Sequence, residues 1–170
     1  MLSRRGFLSV SAVAFAAAKA APVFARDVVE LDWAELIPKG DTGTLIEQLR
    51  GIGVVEHGQL STGFEQVAAR GVTESFNGKT VRLPGFVVPL DFSSSGVTEF
   101  ILASFVGACI HVPPPPANQL VLVTARKPYM MGDLFDPVEV TGTFGTAATQ
   151  TDLAEIGYTL SDAKVRAYPG

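Results

Sequence analysis

The sequence predicts a mainly β protein with short helices. Five apolar segments with alternating or β-branched character follow one another after residue 77, separated by turns that contain Gly, Pro or Asp. Two of them carry a glycine in mid-strand, a residue that suits the bends by which a small barrel closes. We therefore expect a five-stranded OB-like barrel with an N-terminal helical lead-in, and a β-sandwich is the alternative architecture.

The expected strands begin after a turn signal at Asn77 and Gly78. The fourth has the clearest pattern, because Val138, Val140 and Phe144 alternate with polar residues. The first three are apolar on both faces, so part of the sheet should be covered on both sides. The expected strands span residues 79–90, 97–105, 119–124, 138–144 and 158–168.

The chain before the strands has two parts. Residues 1–25 predict a twin-arginine signal peptide: paired arginines precede Phe-Leu, and the apolar run is shorter than the roughly 20 residues of a membrane-spanning helix. Residues 26–76 predict a helical or irregular lead-in, with helical spacing at residues 31–37 and shorter helical stretches at 44–50 and 64–69. Residues 77–170 then form the β domain, and we expect export to the periplasm.

The charge balance limits the partners. The chain has 17 acidic and 13 basic residues and a formal net charge of −4. Three of the basic residues lie in the predicted signal peptide, so the mature part is more acidic still. This balance argues against nucleic acid as a partner and is compatible with cations.

One segment contains residues suited to metal chemistry. Cys109 is the single cysteine of the sequence, so it cannot form an internal disulfide, and His111 lies two positions later. In extended chain, positions i and i+2 point to the same face about 6.5–7 Å apart, which lets a thiolate and an imidazole reach one ion. The four prolines at 113–116 would stiffen the neighbouring chain. We expect Zn²⁺ as the ion, with Cu⁺ as the alternative.

Two ligands are too few for a zinc site, which needs at least three from the protein. His57 is the other histidine of the sequence and is our candidate for the third ligand. Carboxylates or thioethers could instead complete the shell, and the candidates of this kind are Asp91, Glu99, Asp133, Asp136, Met130 and Met131.

Two alternatives stand beside metal binding. Cys109 could be a small buried hydrophobe, with residues 113–116 forming an exposed surface that docks onto an envelope partner. The Cys–His pair could instead form a thiol nucleophile, although side chains at i and i+2 lie parallel and we identify no orienting residue. An enzyme is therefore the less favoured class.

Several stretches of the chain resemble the DUF3299 family, exported proteobacterial proteins of unknown function. The Cys-Ile-His-x-Pro-Pro-Pro-Pro core is the most specific of them. The matching stretches are residues 32–33, 36–38, 77–79, 83–90, 99–102, 107–119, 140–143 and 157–158. The resemblance implies an association with zinc-responsive transport systems that include membrane ABC-type components. We therefore expect a periplasmic accessory protein of metal homeostasis, with a homodimer as one way to complete the metal shell.

Overall fold

A computed structural model of the chain describes residues 27–39, 66, 71–90, 95–106 and 114–169. Within these residues no helix is long and apolar enough to cross a membrane. The described elements are strands β1 (Val29–Glu30), β2 (Thr80–Pro89), β3 (Val97–Ala103), β4 (Leu120–Tyr129), β5 (Pro137–Gln150) and β6 (Glu155–Ala167), with 3₁₀ helices η1 (Trp33–Leu36) and η2 (Ala117–Gln119).

The six strands form one mixed sheet in the order β1-β2-β3-β4-β6-β5, and β2 also pairs with β5. The β1–β2 and β4–β6 pairs are parallel, and the others are antiparallel. Each of the strands β2 to β6 therefore has a neighbour on both sides. The prediction of a mainly β fold is confirmed.

All five expected strands are present, but two of them extend further than the apolar pattern. β4 continues to Tyr129 and β5 to Gln150, whereas the alternation that predicts them ends at Thr124 and Phe144. None of the additional residues is buried, so no buried apolar side chain marks these strand ends in the sequence. The two-residue strand β1 is too short to leave a pattern.

The expected helical lead-in is not supported. Its described part contains β1, paired in parallel with β2, and a single 3₁₀ turn, η1. That turn begins with a capping box, in which Asp32 accepts a hydrogen bond from the Ala34 amide at 2.9 Å and Glu35 accepts one from the Asp32 amide at 2.9 Å. Extended backbone at Ile37 ends it after one turn. The helices expected at 44–50 and 64–69 lie outside the described residues, except Gln66, and so does the predicted signal peptide.

Both faces of the sheet carry apolar clusters, as the sequence predicts. On β3, Phe100 and Leu102 belong to a larger cluster, while Ile101 and Ala103 belong to a smaller one on the opposite face. The lead-in contributes Leu31 and Leu36 to the larger cluster. Short extended and 3₁₀ segments therefore help to cover the sheet in place of the expected helices.

Alternating charges cross the sheet from β1 to β6. Arg82 on β2 contacts Glu30 on β1 at 2.5 Å and Glu139 on β5 at 3.1 Å. Arg166 on β6 donates to the same Glu139 oxygen at 2.7 Å. The Glu139 side chain is only 12% exposed, so it is the least solvated member of this ladder.

Glu139→Gln should lower the free energy of unfolding by about 1 kcal/mol, because two arginines lose their shared counterion. Urea denaturation at low salt measures the loss, and 1 M NaCl should reduce it. Asp152→Asn, in the exposed β5–β6 turn, is the charge-matched control and should change little. Equal stability of Glu139→Gln and wild type at low salt would show that the ladder is energetically neutral.

Candidate functional site

The three predicted metal ligands, Cys109, His111 and His57, lie outside the described residues, as does Asp91. The structure describes the two ends of the chain that carries Cys109 and His111. We call residues 104–119, which join β3 to β4, the β3–β4 connection.

The β3–β4 connection leaves the sheet and returns to it at one point. Ala103 and Leu120, which flank it, are register partners in the antiparallel β3–β4 pair. Both are fully buried in the smaller apolar cluster, together with Ile156 at the start of β6. The two ends of the connection are therefore held side by side by backbone pairing and by apolar burial.

The prolines at the return end are buried. Pro114, Pro115 and Pro116 are covered by the fold, and the Gln119 amide donates to the Pro116 carbonyl at 2.8 Å to close η2. The expectation that the proline segment forms an exposed docking surface is therefore wrong for these three prolines. Proline loses little conformational entropy when it is buried, so it suits a fixed anchor.

Two buried amide side chains tie this end to the lead-in. Asn118 and Gln119 are 4% and 3% exposed. Asn118 Nδ2 donates to the Gly71 carbonyl at 3.1 Å, and Gln119 Nε2 donates to the Trp33 carbonyl at 3.2 Å. Buried amides hold their place through such bonds, because breaking one leaves an unsatisfied polar group.

Gln66 joins the same end to β6. Its Nε2 donates to the carbonyls of Pro115 and Glu155, both at 2.8 Å, and its Oε1 accepts from the Glu155 amide at 2.7 Å. The Gln66 side chain thus makes the two backbone hydrogen bonds to Glu155 that a neighbouring strand would make, and it also bonds to the proline segment. The sequence gives no signal for this contact, because it joins residues that are 49 and 89 positions apart.

The close approach of β6 to η2 requires a glycine. A Cβ added to Gly157 would lie 2.8 Å from the Ala117 carbonyl oxygen and 2.8 Å from Val72 Cγ1. A larger residue would push the 3₁₀ helix away from the sheet. Gly157 therefore sets the distance between β6 and η2, and with it the position at which the β3–β4 connection returns to the sheet.

Of the carboxylates considered as further ligands, Asp133 and Asp136 take part in a turn and Glu99 is exposed. Asp136 accepts hydrogen bonds from the Gly132 amide at 2.6 Å and the Asp133 amide at 2.9 Å, which shapes the β4–β5 turn. Asp133 bonds within the same turn, and Glu99 is exposed on β3. No group of three or more His, Cys, Asp or Glu residues that could hold a metal ion occurs in the described ranges.

The two methionines considered as thioether ligands are placed differently from each other. Met130 is 65% exposed, whereas Met131 packs against the larger apolar cluster. Adjacent side chains that point to different surroundings do not form a paired soft-ligand site.

Comparisons with known proteins agree with the resemblance seen in the sequence. A model of the DUF3299 family, described as a protein of unknown function, matches residues 33–167. The chain is also similar to the crystal structure of a DUF3299 family protein from Pseudomonas aeruginosa PAO1, with 34% sequence identity, a TM-score of 0.66, and coverage of 85% of this chain and 98% of that one. The comparison with curated proteins gives no match. Because the family match spans well over half of the sequence, this chain belongs to the DUF3299 family of proteins of unknown function.

Proposed function

We propose that this protein is a non-enzymatic metal-binding accessory protein of the periplasm, exported by the twin-arginine route. It would bind Zn²⁺, or alternatively Cu⁺, through Cys109 and His111. The observation that supports the proposal is the anchoring of the β3–β4 connection: its two ends, which flank the soft-ligand pair in the sequence, meet at one point of the sheet.

Anchored ends favour binding for an entropic reason. A ligand pair on a flexible chain loses conformational entropy when it binds an ion. A pair between fixed ends has less conformational entropy to lose. The buried prolines, the amides of Asn118 and Gln119, and the Gln66 bonds support this preorganisation. His57, a carboxylate or a second copy of the chain would supply the remaining ligands, and a membrane ABC-type transport component is the partner that the family resemblance suggests.

Metal titration of the mature protein tests the proposal. Wild type should bind Zn²⁺ with a defined stoichiometry, and a Cys109→Ser, His111→Ala double variant should bind at least about 100-fold more weakly, because loss of an outer-shell partner alone costs about 10–100-fold. His57→Ala tests the third ligand. Asp152→Asn, in the exposed β5–β6 turn, is the control and should bind as wild type does. Equal affinities of the double variant and wild type would exclude the site.

Thiol labelling separates metal binding from the alternative of a non-catalytic interaction module with a structural Cys109. If Cys109 binds a metal, a thiol reagent should label the metal-free protein, and added Zn²⁺ should block the labelling. Resistance to labelling with and without a chelator would indicate a buried structural thiol and would contradict the metal proposal.

We further propose that strands β2 to β6 form a five-stranded OB-like barrel. Support comes from the second pairing of β2, which joins β5 from Thr80↔Thr143 to Phe86↔Pro137, and from the parallel β4–β6 pair. NMR should show cross-strand contacts between Val81 and Gly142. If they are missing while the β2–β3 contacts are present, the β-sandwich is the better description.

A further inference from the structure

Strand β4 is irregular just before its last residue. Its register with β3 jumps from Glu99↔Thr124 to Val97↔Tyr129, so four residues of β4 lie opposite one residue of β3. Its last register pair with β6 is Ala125↔Ala163. Residues 126–128, which we call the β4 bulge, therefore have no register partner on either described neighbour.

Strand β6 has a bulge at the same level. Its register with β5 changes between Thr143↔Ser161 and Thr141↔Lys164, so two residues of β6 oppose one of β5. Asp162 lies in this irregularity with a φ of 52°, a left-handed conformation that is uncommon outside glycine. Bulges of this kind redirect side chains and are frequent beside functional sites.

One ion pair ties the two bulges together. Arg126 Nη2 donates to Asp162 Oδ2 at 2.5 Å, Arg126 Nε donates to Asp162 Oδ1, and Nε also donates to the Asp162 carbonyl at 2.9 Å. A planar guanidinium that makes three bonds fixes the geometry as well as the charge. The Arg126–Asp162 contact thus links the β4 bulge to the bulge of β6.

A groove of about 430 Å³ lies between the bulges, within the size range of ligand pockets. Lys127 and Lys164 line it from opposite sides, and both are exposed. Neither lysine makes an ion pair with another residue of the described part of the chain. The apolar lining of the groove comes from Pro128, Tyr129, Ala163 and Val165.

We propose that this groove binds an extended acidic segment of a partner protein. Beyond Ala163, β6 has no register partner among the described residues on the side of β4, so a peptide could pair with it by β-strand addition. Its carboxylates would pair with Lys127 and Lys164, two cations on a chain whose net charge is −4. The site is independent of the metal proposal and uses none of its residues.

Fluorescence anisotropy with the metal-free mature chain tests the site. The probe is a labelled eight-residue peptide of alternating Val and Glu, compared with the same peptide carrying Gln for Glu. Lys127→Glu with Lys164→Glu should weaken binding of the acidic peptide at least about tenfold. Lys39→Glu with Lys79→Glu is the control of equal charge change and should leave the affinity within about twofold.

Further binding measurements test the strand pairing, the independence from the metal site and the kind of ligand. A backbone N-methylated acidic peptide should bind much more weakly, and the Cys109→Ser, His111→Ala variant should bind as wild type does. Any of three results would overturn the proposal. The Glu and Gln peptides could bind with equal affinity, the two double charge reversals could weaken binding equally, or the N-methylated peptide could bind as well as the unmodified one. Competition by succinate as effective as that of the unlabelled peptide would identify a small-anion site instead, and would also overturn it.

Discussion

Phe144→Ala should lower the free energy of unfolding by about 3–5 kcal/mol. Phe144 is 1% exposed and lies where the lead-in, β5 and β6 meet. Its ring forms an edge contact with Phe76 at 6.2 Å between centroids and a tilted contact with Tyr158 at 5.0 Å. Truncation would remove the buried ring, both aromatic contacts and the apolar surface that holds Phe76 against the sheet.

Urea denaturation followed by circular dichroism measures this effect. Phe144→Leu keeps part of the volume and should lose clearly less, so it remains informative if the alanine variant does not fold. Val106→Ala, at an apolar side chain that is 60% exposed, is the control and should change stability by less than about 0.5 kcal/mol. A loss below about 1 kcal/mol for Phe144→Ala would contradict the assignment of Phe144 to the core.

Tyr158→Phe should cost about 2 kcal/mol, although it removes a single oxygen atom. The Tyr158 hydroxyl donates to the Leu36 carbonyl at 2.6 Å and accepts from the Thr73 amide at 2.8 Å. The side chain is fully buried on β6, so it joins two distant parts of the lead-in to the sheet. Phenylalanine fills the same space but leaves both backbone groups without this partner. A stability equal to that of wild type would show that water or local rearrangement replaces the bonds.

The same hydroxyl predicts a dependence of stability on alkaline pH. Burial raises the pKa of Tyr158 above its ordinary value of 10.0, and the hydrogen bond from the Thr73 amide opposes the rise. The neutral form is therefore favoured in the fold, and stability should be complete below pH 10 and should fall as the pH rises further.

Unfolding free energies measured from pH 8 to 11 test this dependence. The decline above pH 10 should be smaller in Tyr158→Phe. It should not vanish, because burial first and Asp136 second also raise the pKa of Tyr129. An identical decline in both proteins would contradict the role of Tyr158.

The strands could be predicted because burial selects side chains at a period of two. Val138, Val140 and Phe144 are all buried on one face of β5, as their spacing requires. The ends of β4 and β5 could not be predicted, because none of the residues there is buried and no apolar period marks them. The short β1 and the 3₁₀ turn η1 are held in place by contacts with distant residues, and such contacts leave no local period in the sequence.

The candidate site was predictable only in its local features. The spacing of Cys109 and His111 and the proline run are visible in the sequence. The anchors of the end of the connection at residues 114–119 are long-range contacts of Gln66, Asn118 and Gln119. The groove between the β4 and β6 bulges could not be predicted from the sequence either, because a shift in register depends on how two strands pair. One sequence feature could have suggested the buried amides: polar residues lie between the proline run and the apolar strand that follows it.

Elemental analysis of the protein purified from the periplasm tests metal binding by Cys109 and His111. We expect a stoichiometric amount of zinc, or of copper, to copurify with wild type and to be lost from the Cys109→Ser, His111→Ala variant. Protein that is folded, exported and free of both metals, or an equal metal content in the two proteins, would contradict it.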